Sequence, residues 1–153
     1  MRLPVVARGC LWLSVSLVLL ACVACSGEKR KLYPVRGKVL FEGKPAEGAL
    51  VTLQALDNSS PMSAYPRAQV KPDGSFSIAT YQLEDGAPPG DYKVVIMWMP
   101  ENARQLLMEG KLLVNKLPPQ YADAKTTPLE VHVKEGPNDL PPFELQAPGK
   151  ARP

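Results

Sequence analysis

Few residues of this chain have the types and spacing that catalysis or metal binding requires. The 153 residues include one histidine, His132, and three cysteines, Cys10, Cys22 and Cys25. A single histidine excludes zinc sites that need two or more, and the absence of cysteine after residue 25 excludes a thiol nucleophile in the rest of the chain. His132 lies between two valines on the polar side of an alternating pattern, so we expect a surface histidine rather than a general base. We therefore predict no catalytic residue, no metal site and no cofactor.

Acidic and basic residues give no stronger signal. Glu84 and Asp85 are adjacent and could pair as carboxylates or bind Ca²⁺ together with loop carbonyls, but they begin a turn-rich stretch, and a solvated turn is favoured. The chain has 18 basic and 15 acidic residues, a net charge of +3. Because phosphate neutralisation requires a strongly basic surface, this near balance argues against a nucleic-acid partner.

The N-terminal residues predict export. Arg2 and Arg8 precede an uncharged apolar run at residues 10–21, and the chain becomes polar at Ser26. A basic start followed by a short apolar run is typical of a signal peptide. Its 12 residues are fewer than the roughly 20 that span a bilayer core. We assign residues 1–21 to a signal peptide, 22–32 to a tether, 33–147 to one domain and 148–153 to a C-terminal tail.

The end of the apolar run resembles a bacterial lipobox, in which a cysteine after aliphatic and small residues is acylated and becomes the mature N-terminus. Leu19-Leu20-Ala21 before Cys22 fits this pattern, and Cys25 is the alternative acylation site. Ordinary secretion with cleavage near Ala24 is a third possibility. A lipobox implies a membrane-anchored protein. The residue after either cysteine, Val23 or Ser26, is not the Asp associated with inner-membrane retention, which favours the outer membrane or the periplasmic face.

The rest of the chain alternates between polar and apolar residues in short segments separated by turns. This pattern predicts half-buried strands. The predicted strands are residues 33–41, 48–56, 67–71, 75–80, 91–99, 129–134 and 142–146. Seven short strands at this spacing predict an all-β fold, a single seven-stranded antiparallel β-sandwich. The strand at 91–99 is apolar on both faces, and leucines at 100–117 suggest one or two helical turns that would cover its outer face.

Four segments together resemble the carboxypeptidase-regulatory-like, or transthyretin-like, β-sandwich family, in which a G-x-P turn, a D-G-x-F hairpin and a P-G-x-Y strand start follow in this order. The segments are residues 35–39, 43–51, 73–78 and 89–94. Residues 119–121 and 126–131 look like small lipoproteins of this type from planctomycete bacteria. The resemblance implies a prealbumin-like sandwich and a non-catalytic module, either adhesive or accessory.

Two hypotheses for function follow from these observations. The first is a non-enzymatic cell-envelope lipoprotein whose sandwich binds a protein or glycan partner or serves a structural role. The second is a carbohydrate-binding accessory protein that stacks sugars on tyrosines in predicted loops, namely Tyr65, Tyr81 and Tyr121. An enzyme is the third and weakest hypothesis.

Overall fold

The computed structural model describes residues 30–56 and 65–147, and most of their regular structure is β-strand. The strands are β1 (Val35–Phe41), β2 (Lys44–Pro45), β3 (Leu50–Ala55), β4 (Arg67–Gln69), β5 (Ser75–Ser77), β6 (Gly90–Met97), β7 (Glu130–Val133), β8 (Asn138–Asp139) and β9 (Phe143–Leu145). A short helix α1 (Ala103–Met108) and a 3-10 helix (Pro119–Ala122) lie between β6 and β7. In this described part of the chain, no helix is long and apolar enough to cross a membrane.

Two sheets enclose the hydrophobic core. One is a five-stranded sheet in which β1 pairs with β2, β5, β8 and β9, and the other is four-stranded in the order β4-β3-β6-β7. The alternation of residues along a strand explains which side chains point inward. In β1, Val35 and Val39 are buried, whereas Arg36 and Lys38, which lie between them, are exposed. The all-β sandwich predicted from the sequence is confirmed.

The number and direction of the strands differ from the prediction. The described residues form nine strands rather than seven, because β2 and β8 add two-residue pairings. The sandwich is also not purely antiparallel, since β8 and β9 both run parallel to β1. The chain leaves β7 in the four-stranded sheet and crosses to the other sheet before β8 begins. A crossing connection, unlike a tight hairpin, permits parallel pairing.

Two of the motif segments have clear structural roles. Asp73 and Gly74 form the turn between β4 and β5, where the Asp73 carboxylate accepts hydrogen bonds from the Ser75 N–H (2.9 Å) and hydroxyl (2.6 Å). Gly74 has a φ of +82°, which other residues rarely adopt. At the start of β6, the buried Tyr92 hydroxyl donates a 2.8 Å hydrogen bond to the Pro88 carbonyl. These contacts give the D-G-x-F and P-G-x-Y segments their positions at strand ends.

The segment after β6 contains a short helix, as predicted, but this helix does not provide the predicted cover. Helix α1 contains no buried residue. Gly110 follows the helix; its φ is +67° and its N–H donates to the Leu107 carbonyl, while the Lys111 N–H donates to the Leu106 carbonyl. These paired bonds form a Schellman motif, which ends the helix. Only Leu117, at the end of the segment, is a buried leucine of the core.

The signal peptide predicted at residues 1–21, most of the tether at 22–32 and the tail at 148–153 lie outside the described residues, as do Cys22 and Cys25. The sandwich starts close to the predicted domain boundary at residue 33. The Tyr33 N–H donates to the Ala87 carbonyl, and the Ala87 N–H donates to the Tyr33 carbonyl.

Candidate functional site

The three tyrosines predicted as a sugar-stacking platform have different environments. Tyr81 is 58% exposed, whereas Tyr65 is half-buried. Tyr121 is only 6% exposed and belongs to the hydrophobic core, where its hydroxyl accepts a 3.4 Å hydrogen bond from the Gln146 N–H. The predicted exposure of Tyr121 is wrong, because the 3-10 helix that carries it packs against β6. Tyr81 is therefore the strongest remaining candidate for ligand contact.

Asp85 organises the loop that carries Tyr81. Its carboxylate accepts hydrogen bonds from the backbone N–H groups of Thr80 (2.6 Å), Tyr81 (2.9 Å) and Gln82 (2.8 Å). Partial burial raises the pKa of Asp85, but the three donors stabilise the carboxylate more, so the pKa lies below its ordinary value. Both carboxylate oxygens accept hydrogen bonds from the loop backbone, so Asp85 holds the loop in place.

Gly86 closes the same loop against the sandwich. Its N–H donates to the Ile78 carbonyl, and the Thr80 hydroxyl donates a 2.5 Å hydrogen bond to the Gly86 carbonyl. A Cβ atom at this position would lie 1.9 Å from the Tyr33 carbonyl oxygen. Only glycine can lie this close to the Tyr33 carbonyl. The φ of +91° also favours glycine, because other residues rarely adopt it.

A groove of about 380 Å³ lies beside this loop, and its walls combine apolar and charged side chains. Those relevant to binding are Leu50, Ala79, Leu83, Arg67, Lys71 and Glu84. Lys71 and Glu84 form an ion pair of 3.3 Å whose side chains are both more than half exposed. Because solvent screens this pair, both charges remain accessible to a ligand. The groove thus combines apolar and charged lining residues, and one of them, Leu83, is two residues along the chain from Tyr81.

His132 lies on the solvent side of β7, as the sequence predicts. Its Nδ1 is 2.7 Å from the Asp91 carboxylate on β6, and the two side chains are 67% and 65% exposed. An ion pair or hydrogen bond this exposed contributes little to stability, typically about 0–1 kcal/mol. In residues 30–56 and 65–147, no group of three or more His, Cys, Asp or Glu side chains is arranged to hold a metal ion.

Trp98 sits where β6 leaves the sandwich and is less buried than its place on the apolar face of the strand predicts. It is half-buried, and its indole N–H donates a 2.7 Å hydrogen bond to the Glu47 carbonyl. The Phe41 ring meets it edge-on at 6.1 Å, and the Lys116 ammonium lies 4.8 Å from its ring centre. The indole therefore contacts both the sandwich, through Glu47 and Phe41, and the segment after β6, through Lys116. We call this set of contacts the Trp98 clamp.

Alternation along the strands did not indicate two features of this surface. Asp85 was placed in a turn, but nothing in the sequence showed that it would bind three N–H groups. The leucines after β6 predict a cover, but two of the five, Leu107 and Leu112, are exposed, and only Leu117 is buried. An alternating pattern carries information about strands, whereas a loop's side chains are positioned by contacts that the pattern does not encode.

Comparison of the chain with protein-family models, with curated proteins and with solved structures finds no match.

Proposed function

We propose that this chain is a non-enzymatic cell-envelope lipoprotein, anchored in a membrane through an acylated cysteine, whose β-sandwich serves as a binding or structural module. The observation that carries the proposal is the sequence Leu19-Leu20-Ala21-Cys22 at the end of a basic and then apolar N-terminus. An acyl-anchored protein needs a folded domain joined to its anchor by a short polar tether. The sandwich begins at Tyr33, and the eleven residue steps from Cys22 span at most about 35–40 Å when fully extended.

The resemblance to carboxypeptidase-regulatory-like sandwiches supports the second half of the proposal. The D-G-x-F segment forms the β4–β5 turn, and the P-G-x-Y segment starts β6. Both segments make contacts that stabilise the sandwich, which agrees with a scaffold role. We assign no catalytic role to any residue, and His132 in particular is an exposed strand residue paired with Asp91.

The anchor can be tested by fractionation of cells that express the full chain. A double variant, Cys22→Ala with Cys25→Ala, should move to the soluble fraction or fail to mature, because no acyl acceptor remains. The two single variants identify which cysteine is acylated. Cys10→Ala is the matched control, since it lies in the same apolar run but outside the lipobox, and it should stay in the membrane fraction. Unchanged detergent partitioning of the double variant would contradict the lipid anchor.

A second candidate function, binding of a carbohydrate, is favoured by Tyr81. Aromatic rings stack on sugar faces, and Tyr81 is exposed on a loop held rigidly by Asp85, next to the groove that contains Arg67 and Lys71. A glycan array probed with the full chain tests this function. Tyr81→Ala should abolish any signal, whereas Tyr81→Phe, which keeps the ring, should preserve it. A signal unaffected by Tyr81→Ala would exclude this ring as the platform.

A further inference from the structure

The segment between Trp98 and Lys116, which we call the 99–115 loop, concentrates the apolar surface of the domain. In the described part of the chain, eight large hydrophobic residues are exposed, and five of them lie in this loop. The five are Met99, Leu107, Met108, Leu112 and Val114. Leu112, the most exposed of these, is 90% exposed. Single exposed apolar residues scattered over a surface are normal, whereas five within one seventeen-residue loop make that loop a candidate interaction surface.

Contacts at the base of the loop hold it in a defined conformation. The Trp98 N–H donates a 2.9 Å hydrogen bond to the Asn115 side-chain oxygen, and the Lys116 N–H donates a 2.8 Å bond to the Trp98 carbonyl. The Schellman motif at Gly110 folds the second half of the loop back on α1. Because the ends of the loop are joined and its helix is capped, the apolar side chains are presented without a large ordering cost on binding.

The area of these side chains is suited to a protein partner. Together the five residues, backbone included, expose on the order of 600 Å². A standard interface buries about 800 Å² on each partner, of which the apolar centre is the larger part. The loop with its polar neighbours therefore approaches the size of one half of a stable interface.

The charges around the apolar residues favour a second copy of this chain over a lipid surface. Glu101 and Glu109 are matched in number by Arg104 and Lys111, so the 99–115 loop has no net charge. Lys111 forms a 2.8 Å ion pair with Glu109 in the same copy, which leaves one charge of each sign, Glu101 and Arg104, outside that pair. Attraction to anionic lipid requires an excess of cations. A two-fold symmetric interface, in contrast, is self-complementary when each copy supplies both signs around an apolar centre.

We propose that the 99–115 loop is a homodimerisation surface, in which the apolar side chains of two copies pack against each other across a two-fold axis.

The test is the oligomeric state of the full chain, purified in mild detergent and measured by sedimentation with the detergent mass subtracted. Wild type should form a dimer, and Leu107→Asp combined with Leu112→Asp should raise the dimer dissociation constant at least 10-fold. The matched control is Leu83→Asp, because Leu83 is 93% exposed on a different loop, and this variant should dimerise like wild type. Far-UV circular dichroism spectra that match the wild-type spectrum verify that the variants fold.

Three results would overturn the proposal: a monomeric wild type at about 100 μM, a dimer that persists in the double-aspartate variant, or equal loss of the dimer in Leu83→Asp. A fourth measurement addresses the lipid alternative. This measurement uses chains in which Cys22→Ala and Cys25→Ala have removed the candidate acylation sites. If such a chain binds vesicles of anionic phospholipid and its double-aspartate variant does not, while both are monomeric, the loop contacts lipid instead. Removing both candidate acylation sites with Cys22→Ala and Cys25→Ala should leave the dimer intact, which separates this proposal from the lipid anchor.

Discussion

Replacing Trp98 tests whether the indole clamps the end of β6 to the rest of the sandwich. Deletion of a fully buried large aromatic costs about 3–5 kcal/mol. Trp98 is half-buried, so the hydrophobic part of this cost is reduced. Loss of the N–H bond to Glu47 adds about 0.5–1.5 kcal/mol, and loss of the edge contact with Phe41 adds about 0.5–1.5 kcal/mol. We expect Trp98→Ala to lower the free energy of unfolding by about 2–3 kcal/mol.

Urea denaturation followed by far-UV circular dichroism is the suitable assay, because the substitution removes the indole that would report by fluorescence. Trp98→Phe separates the two contributions: it keeps a ring against Phe41 but has no N–H for the Glu47 carbonyl, so it should cost about half as much as alanine. His132→Ala is the control and should stay within about 0.5 kcal/mol, since exposed surface substitutions rarely do more. A cost below about 0.5 kcal/mol for Trp98→Ala would refute the clamp.

Three further substitutions test the loops. Gly86→Ala should cost more than about 3 kcal/mol and lower the melting temperature markedly because its Cβ would overlap the Tyr33 carbonyl, while Gly48→Ala, with a positive φ but open space, should cost only about 1 kcal/mol. Asp85→Asn should lower the free energy of unfolding at neutral pH and leave it unchanged in acid. The pKa of Asp85 is lowered by folding, so its contribution is complete above the unfolded value of 3.8 and is lost as pH falls through the lower folded value; melting curves of wild type and variant should differ at pH 6 and converge in acid. Asn138→Ala should cost about 2–4 kcal/mol in urea denaturation, because the buried amide donates to the Gly136 and Lys134 carbonyls (2.8 and 3.0 Å) and accepts from the Lys134 N–H.

The alternation of polar and apolar residues predicted the strands well, because a strand that buries one face has an apolar residue at every second position. Val51 and Leu53 of β3 are buried and Thr52 between them is not, as a period of two requires. The turn at Asp73 and Gly74 was also predictable, since a positive φ limits the residue choice. These signals are local, and each can be interpreted within a few residues.

Strand direction was not predictable in the same way. The inward positions of β9, Phe143 and Leu145, alternate identically whether the strand runs parallel or antiparallel to β1. Direction depends on the crossing between sheets after β7, which includes the turn closed by Asn138. A pattern that is the same in both orientations cannot distinguish them.

The candidate site was only partly predictable for a related reason. Tyr81 and Tyr121 both lie outside the strands, yet one is exposed and the other is in the core. The difference comes from tertiary contacts, since Asp85 holds the Tyr81 loop outward and the 3-10 helix brings Tyr121 against β6. Leu107 and Leu112 are likewise exposed while Leu117 is in the core, although all three are equally apolar in sequence.

The mass of the mature N-terminus tests the proposed function most directly. The full chain is expressed in a bacterium, extracted from membranes and digested, and the N-terminal peptide is measured by mass spectrometry. The account predicts that the mature chain begins at Cys22 and carries a diacylglyceryl thioether, with residues 1–21 removed. A mature chain that begins after Ala24 with an unmodified cysteine, or one that retains residues 1–21 without added lipid, would contradict it.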